Sequence, residues 1–253
     1  MVATMLSRLE LMTKALELRK QLGLDDNAPI DIFRVVEKIE KLTIVFYSMG
    51  KKISGICTKS KNGHCVVAIN SDMTLGRERF TLAHELYHKY YGKNNKYYCE
   101  SYFKDISDEE REANLFASYF LMPEFGLHME MKNLVRDNGI ISLKDVLYLC
   151  SYYGVSYLSM VNRLFDSSYI DEMCFNALST VKGIIREAVS FGYNVNLFLS
   201  PKDNKYNTFG YYIYLVQKAK EEELISDGKY EELLLDAFRS DIVYGDIEDG
   251  FID

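Results

Sequence analysis

Residues 80–88 read Phe80-Thr81-Leu82-Ala83-His84-Glu85-Leu86-Tyr87-His88, and the rest of the chain is read outward from them. The pattern from Gly76 to about Tyr91 is helical. On a helix, residues i and i+4 share one face, so His84 and His88 can reach a single metal ion. Glu85 sits beside them, placed to take a proton from a water polarised by that ion. A zinc ion acidifies such a water enough to make hydroxide available near neutrality. The chain has only four histidines, and its composition gives roughly 0.005 chance occurrences of His-Glu-x-x-His. The bland competitor is a pair of histidines that merely pack on an amphipathic helix.

A catalytic zinc site needs a third protein ligand and leaves one position for water. His64, after the Asn62-Gly63 turn, and His128, after a proline-ended helix, are open alternatives. The stretch from Ser107 to Pro123 is the better source, because its helical pattern carries Glu109, Glu110 and Glu112 near an apolar face centred on Ala113, Ala117 and Phe120. At 100° per residue, Glu109 and Glu110 lie about 40° and 60° from that face and Glu112 about 100° away. An acid that leans toward a core needs a partner, and a metal is one. Glu110 has a competing reading, since Ser107-x-x-Glu110 is also a capping box.

Upstream, the period changes from helical to extended. An amphipathic helix is predicted over 1–23, with Leu6, Leu9, Met12 and Leu16 as its apolar stripe. A short helix follows Pro29 with Ile32, Val35, Val36 and Ile39 on one face. Leu42–Tyr47, Ile53–Thr58 and Cys65–Ile69 are short, β-branched runs separated by Gly or Asn-Gly, which predicts a small, mainly antiparallel sheet. Downstream of the histidines, Gly92–Ile106 reads as a polar, Tyr-rich loop. Helices are predicted through 124–166, then a strand on the alternation of Val195, Leu197 and Leu199, then helices near 209–222 and 227–238. The last 14 residues carry five acids and no Lys or Arg, which predicts a mobile tail.

Composition narrows the function classes. The 253 residues are 48% hydrophobic and 26% charged, with a net charge of −7. That is a globular composition with a real core, and it disfavours a bulk-basic nucleic-acid binder. No segment approaches the roughly 20 apolar residues that span a bilayer, and charges from Arg8 to Lys20 break up any leader-like apolar run. The five cysteines are scattered, without Cys-x-x-Cys. They predict neither a disulfide framework nor a cysteine zinc site, and point to a reducing, cytoplasmic compartment.

Two segments together resemble the ImmA/IrrE-type metallopeptidases. That family carries a phrase like Arg-x-x-Phe-Thr-x-Ala-His-Glu-Leu-Gly-His, then Glu-x-x-Ala-Asn-x-Phe-Ala-x-x-Leu-Leu-Met-Pro. The matches are Arg77, Phe80, Thr81, Ala83, His84, Glu85, Leu86 and His88, then Glu110, Ala113, Asn114, Phe116, Ala117, Leu121, Met122 and Pro123. The resemblance spans roughly residues 25–165. It implies a gluzincin-like fold, one zinc ion per chain held by His84, His88 and Glu110, Glu85 as general base, and Asn114 orienting a ligand histidine. It also implies regulated proteolysis of a transcriptional repressor or antitoxin, often a helix-turn-helix protein of a mobile element, phage or stress response. Tyr87 stands where the family has Gly, which adds bulk at the helix packing surface or in the cleft.

Residues 142–165 look like a helix-turn-helix, with Gly154 at the turn. A DNA reader wants several polar side chains on its second helix, and residues 156–165 offer only Asn162 and Arg163. A packed helical pair is the preferred reading, and direct nucleic-acid binding is not expected. Tyr90, Tyr91, Tyr97, Tyr98 and Tyr102 crowd the region after the histidines, where a phenol can bind an oxyanion. The expected whole is an α+β protein: a small mainly antiparallel sheet packed on helices that carry the zinc site, over 1–168, with a helical subdomain at about 125–168. A mostly helical accessory region over 169–253 follows. The expected activity is zinc-dependent endopeptidase action on a protein substrate. The rivals are a zinc-holding sensor without turnover and a DNA-binding regulator that uses 142–165.

Overall fold

Ser7 caps the first helix, α1 (Arg8–Gln21), in a reciprocal box with Glu10. The computed structural model describes residues 6–100, 107–134, 141–201 and 205–245. Helix α1 buries Leu11, Ala15 and Leu18, while Leu9 is 66% exposed. The predicted stripe through Leu9 and Leu16 is therefore on the wrong side. The cause is Arg19, which is buried and donates from Nε to the Asp25 carbonyl at 2.9 Å and from Nη1 to the Phe120 carbonyl. A charged residue whose donors all find carbonyls can face inward, and a hydropathy count places it outward. Helix α2 (Ile32–Glu37) buries Ile32, Val35 and Val36 as expected.

Strands β1 (Leu42–Tyr47), β2 (Ile53–Lys59) and β3 (Cys65–Asn70) fall where the β-branched runs predict them. Next come α3 (Leu75–Tyr91), β4 (Lys96–Glu100), α4 (Asp108–Leu121), α5 (Glu124–Leu134), α6 (Leu143–Tyr153) and α7 (Tyr157–Asp166). Then follow α8 (Glu172–Ser179), α9 (Ile184–Ser190), β5 (Asn207–Gly210), α10 (Tyr211–Glu221), α11 (Asp227–Asp236) and α12 (Ser240–Tyr244). The strands form one sheet in the order β4-β2-β3-β1-β5. Only the β1–β3 pairing is parallel; the other three are antiparallel. Alternation turns Ile44 and Phe46, Val67 and Ile69, and Gly55 and Cys57 toward one face, and these residues are buried there. Helix α3 packs against that face over β2 and β3. The fold is thus the expected α+β type, with a helical C-terminal region.

Two strands differ from expectation. Part of the predicted Tyr-rich loop is β4, which pairs antiparallel with β2 at the edge of the sheet. Its outward residues are polar or exposed, Tyr98 at 62%, so only Tyr97 and Cys99 carry the inward alternation. Conversely, the alternation at Val195–Leu199 is no strand. Asn194 Oδ1 accepts from the Asn196 N–H at 2.9 Å, and this local bond turns the chain into a short 3₁₀ helix over Asn196–Phe198. The late strand is β5, which adds to the free edge of β1.

Most buried apolar residues, from Leu11 to Ala188, form one cluster. A small second cluster joins Ile213 and Val216 to Leu234 and Ala237. The α6–α7 pair turns at Gly154, which has φ +66° and sits where a Cβ would meet the Arg79 guanidinium at 2.8 Å. Arg163, one of the two polar residues offered for base contacts, is buried. It donates to the Met122 carbonyl at 3.0 Å and to Glu124 at 2.8 Å. Among the described residues no helix is long and apolar enough to cross a membrane. The acidic end from residue 246, and residues 101–106 of the predicted loop, lie outside the described residues.

Candidate metal centre

Helix α3 turns its histidine face toward α4 and β4. His84 is 5% exposed and His88 and Glu85 are fully buried. Glu110 reaches over from the first turn of α4, with its two carboxylate oxygens 3.1 Å from His84 Nε2 and 3.1 Å from His88 Nε2. The two Nε2 atoms are themselves 3.1 Å apart. Cys99 Sγ of β4 lies 3.1 Å from His84 Nε2. The four donors, one each from His84, His88, Cys99 and Glu110, all fall within 4.8 Å of one another. A tetrahedral ion with bonds of about 2.0–2.3 Å separates neighbouring donors by roughly 3.3–3.6 Å, so this cluster has the right size.

The neighbours aim these donors. Asn114 Oδ1, one turn along α4 from Glu110, lies 2.9 Å from His84 Nδ1. An amide oxygen only accepts, so Nδ1 carries the hydrogen and Nε2 presents its lone pair. The Tyr97 ring stacks on His88 with centroids 3.9 Å apart. Its hydroxyl donates to Glu109 at 2.8 Å. Of the three acids opening α4, Glu109 therefore holds Tyr97 and Glu110 meets the histidines.

Glu112 is buried too, against the single-face expectation. Helix α4 packs on α1 as well as α3, and Glu112 lies in that second contact, accepting from the Leu6 N–H at 2.6 Å and from the Tyr87 hydroxyl. Tyr87 accordingly spends its bulk on helix packing, against Phe116 and Tyr91. The Ser107 hydroxyl accepts from the Glu110 N–H at 3.3 Å, so Ser107 caps α4 while the Glu110 carboxylate points to the histidines.

The electrostatics call for a cation. Both Glu85 oxygens and His88 Nδ1 are buried without a hydrogen-bond partner. Burial pushes the Glu85 carboxyl up to about 7. Burial, then the charges of Glu85 and Glu110, push the Cys99 thiol up. Burial alone would raise Glu110, but its hydrogen bonds to His84 and His88 outweigh that and hold it below the carboxylate range. Two carboxylates, two imidazoles and a thiol in one desolvated space are the donor set a divalent metal satisfies.

His64 and His128 are elsewhere. His64 stands edge-on to Tyr211 and His128 bonds the Tyr169 hydroxyl at 3.2 Å. Sequence reasoning missed Gly55 and Cys99 here, and it named Tyr97 only as one of several phenols, not as the ring stacked on His88. Gly55 of β2 faces Glu85, and a Cβ there would lie 2.6 Å from Thr81 Cγ2 and closer still to Glu85 Oε1; a glycine inside a strand signals such an approach. Tyr97 and Cys99 carry only a two-residue alternation inside a polar run. A separate cavity of about 1100 Å³ is lined by Phe33, Ile44, Phe46, Glu78 and Phe209 among others.

Residues 40–165, which hold the sheet's first four strands, all four donors and the α6–α7 pair, match the family model described as Peptidase_M78, IrrE N-terminal-like domain. Over that span the chain belongs to the ImmA/IrrE family of peptidases. A search of curated proteins finds no match.

Proposed function

We propose that the protein is a zinc-dependent endopeptidase, with His84, His88 and Glu110 as metal ligands and Glu85 as general base. The observation that carries this reading is Glu85, a buried and unpartnered carboxylate beside three convergent ligand atoms. A zinc ion held there supplies a Lewis acid for the scissile carbonyl and for the attacking water. Glu85 takes the proton of that water on a carboxylate oxygen and hands it to the leaving nitrogen. A carboxyl poised near 7 suits both halves of that transfer. Asn114 keeps His84 in one tautomer, and the Tyr97–Glu109 pair holds the His88 ring. Among the described residues β4, which brings Cys99 to the site, is an edge strand, and an extended peptide can pair with such an edge, which favours a protein substrate.

The substrate class we propose is a helix-turn-helix repressor or antitoxin-like regulator, on the family resemblance. The five free thiols suit a reducing cytoplasm. We take 1–168 as the peptidase unit and 169–253 as an accessory region that lends β5 to its sheet. The buried, engaged state of Arg163 speaks against base contacts from α7. Mass-spectrometric mapping of products, after mixing the protein with helix-turn-helix proteins encoded beside it, tests the reading. Cleavage at one site that chelation abolishes supports it; intact proteins throughout, in excess zinc, count against it.

A further inference from the structure

A peptidase zinc site leaves one position open for water, whereas four protein donors close it. Here four donors converge. Cys99 is 3% exposed and its sulfur is as near to His84 Nε2 as the Glu110 carboxylate is, 3.1 Å in each case. It is not a stray thiol beside the site, because the strand aims it there. Cys99 pairs with Gly55 across the β2–β4 ladder, and direct partners point to the same face. That face is the one from which Gly55 looks onto Glu85. The register of the ladder shifts between Ile53 and Gly55, opposite Cys99, and such irregularities re-aim a side chain. The Ser54 hydroxyl donates to the Cys99 carbonyl at 3.1 Å and ties the backbone down at the same point. The other buried thiols belong elsewhere, with Cys57 and Cys65 3.5 Å from each other.

We infer that Cys99 is a fourth, thiolate ligand that closes the site at rest, so that hydrolysis requires β4 to withdraw it. This rests on the metal-site reading above and adds a regulatory position to it. Metal binding breaks the S–H bond, the sulfur keeps the electron pair for the metal, and the proton passes to solvent. Because β4 is an edge strand whose one ladder among the described residues is with β2, a substrate strand that pairs with its outer edge acts on the segment that carries Cys99. The resting enzyme is therefore latent, and the contact that recognises the peptide is the one that opens the site.

Cobalt(II) titration of the full chain tests this without any substrate. Cobalt in a tetrahedral site shows visible ligand-field bands, and a thiolate ligand adds an intense near-ultraviolet charge-transfer band. The expected result is one cobalt per chain with both features, and loss of the charge-transfer band in Cys99→Ser with the stoichiometry kept. One bound cobalt with ligand-field bands but no thiolate band in the wild type overturns the inference and leaves the peptidase reading standing. Persistence of the thiolate band in Cys99→Ser overturns it as well, since another cysteine would then be the ligand. No stoichiometric cobalt at all removes the metal-site reading and this inference with it. Cys99→Ala is read in the same way where Cys99→Ser folds poorly, and a wild-type spectrum without the thiolate band overturns the inference by itself.

Discussion

Gly55 stands over Glu85, and the space a Cβ would fill is taken by the Glu85 carboxylate and the Thr81 methyl. Gly55 precedes Glu85 by 30 residues in the chain, yet in space the buried acid is wedged under this residue without a side chain. Gly55→Ala should therefore cost about 1–3 kcal/mol by overpacking. Thr81→Ser on the Gly55→Ala background, which removes the methyl, should return part of that loss. Denaturant unfolding of the two variants measures it, and an unchanged midpoint for Gly55→Ala would sink the packing account.

Glu110 and Glu112 make a second pair to separate. Glu110→Gln should empty or strongly weaken the metal site, read by metal analysis after dialysis. Glu112→Gln should keep the metal and instead loosen α1, because it alters the acceptor for the Leu6 N–H and the Tyr87 hydroxyl. The loss should be about 1.5–3 kcal/mol, the range for a hydrogen bond to a charged group. The reverse pattern, metal lost on Glu112→Gln only, would exchange the two roles.

Much of this was legible beforehand, and the limits have physical causes. His84, Glu85 and His88 announce themselves because one helical turn fixes their common face, so three letters and a spacing carry the geometry. The sheet's central strands are legible from β-branched runs between turn residues. The face of α1 is not, because Arg19 is buried by backbone carbonyls that no hydropathy pattern displays. Glu112 is misplaced for a related reason: α4 has two buried sides, and an angular argument built on one apolar centre sees only one. Cys99 depends on β4, an edge strand of five residues whose outward half is polar. Its register against Gly55 is a long-range pairing that local pattern does not encode.

Glu78 gives a pH signature distant from the histidines. It is 2% exposed on the first turn of α3, borders the large cavity, and burial raises its carboxyl from 4.5 to about 7. A raised acid binds its proton more tightly in the native state. Between those two values the native state holds the proton and the unfolded state does not, so stability falls as pH rises through that window. Below it both states are protonated and the effect vanishes. Glu78→Gln removes the titration. Its Tm relative to wild type should rise from about pH 5 to about pH 8. A pH-independent difference would remove Glu78 as the cause.

Arg163 separates a packed helical pair from a DNA reader. Its guanidinium bonds the Met122 carbonyl and Glu124 and lies over the Tyr119 ring at 4.4 Å. Arg163→Ala should lower stability by about 1.5–3 kcal/mol, as expected for a buried charge-assisted bond. It should leave duplex DNA binding where the wild type has it, at the non-specific level. Sequence-specific retardation at physiological salt, lost in Arg163→Ala with the fold intact, would instead make α7 a recognition helix.

The last prediction sets enzyme against sensor. Glu85 follows His84 directly in the chain, faces Gly55, and has no partner for either oxygen. If it moves the proton, Glu85→Gln should hold the metal at wild-type stoichiometry, since His84, His88, Cys99 and Glu110 are untouched. Cleavage should fall by about 10²–10⁴-fold, the usual contribution of a placed general base. The amide should also raise stability at neutral pH, because a neutral group replaces an acid that burial pushes up to about 7. Metal content, unfolding and cleavage are therefore measured on one preparation. Metal kept with cleavage lost establishes the proton-transfer role and leaves a purely sensory zinc site without support. Undiminished cleavage by Glu85→Gln removes Glu85 from the chemistry, whatever its burial, and the base would then have to be sought among the groups on β4.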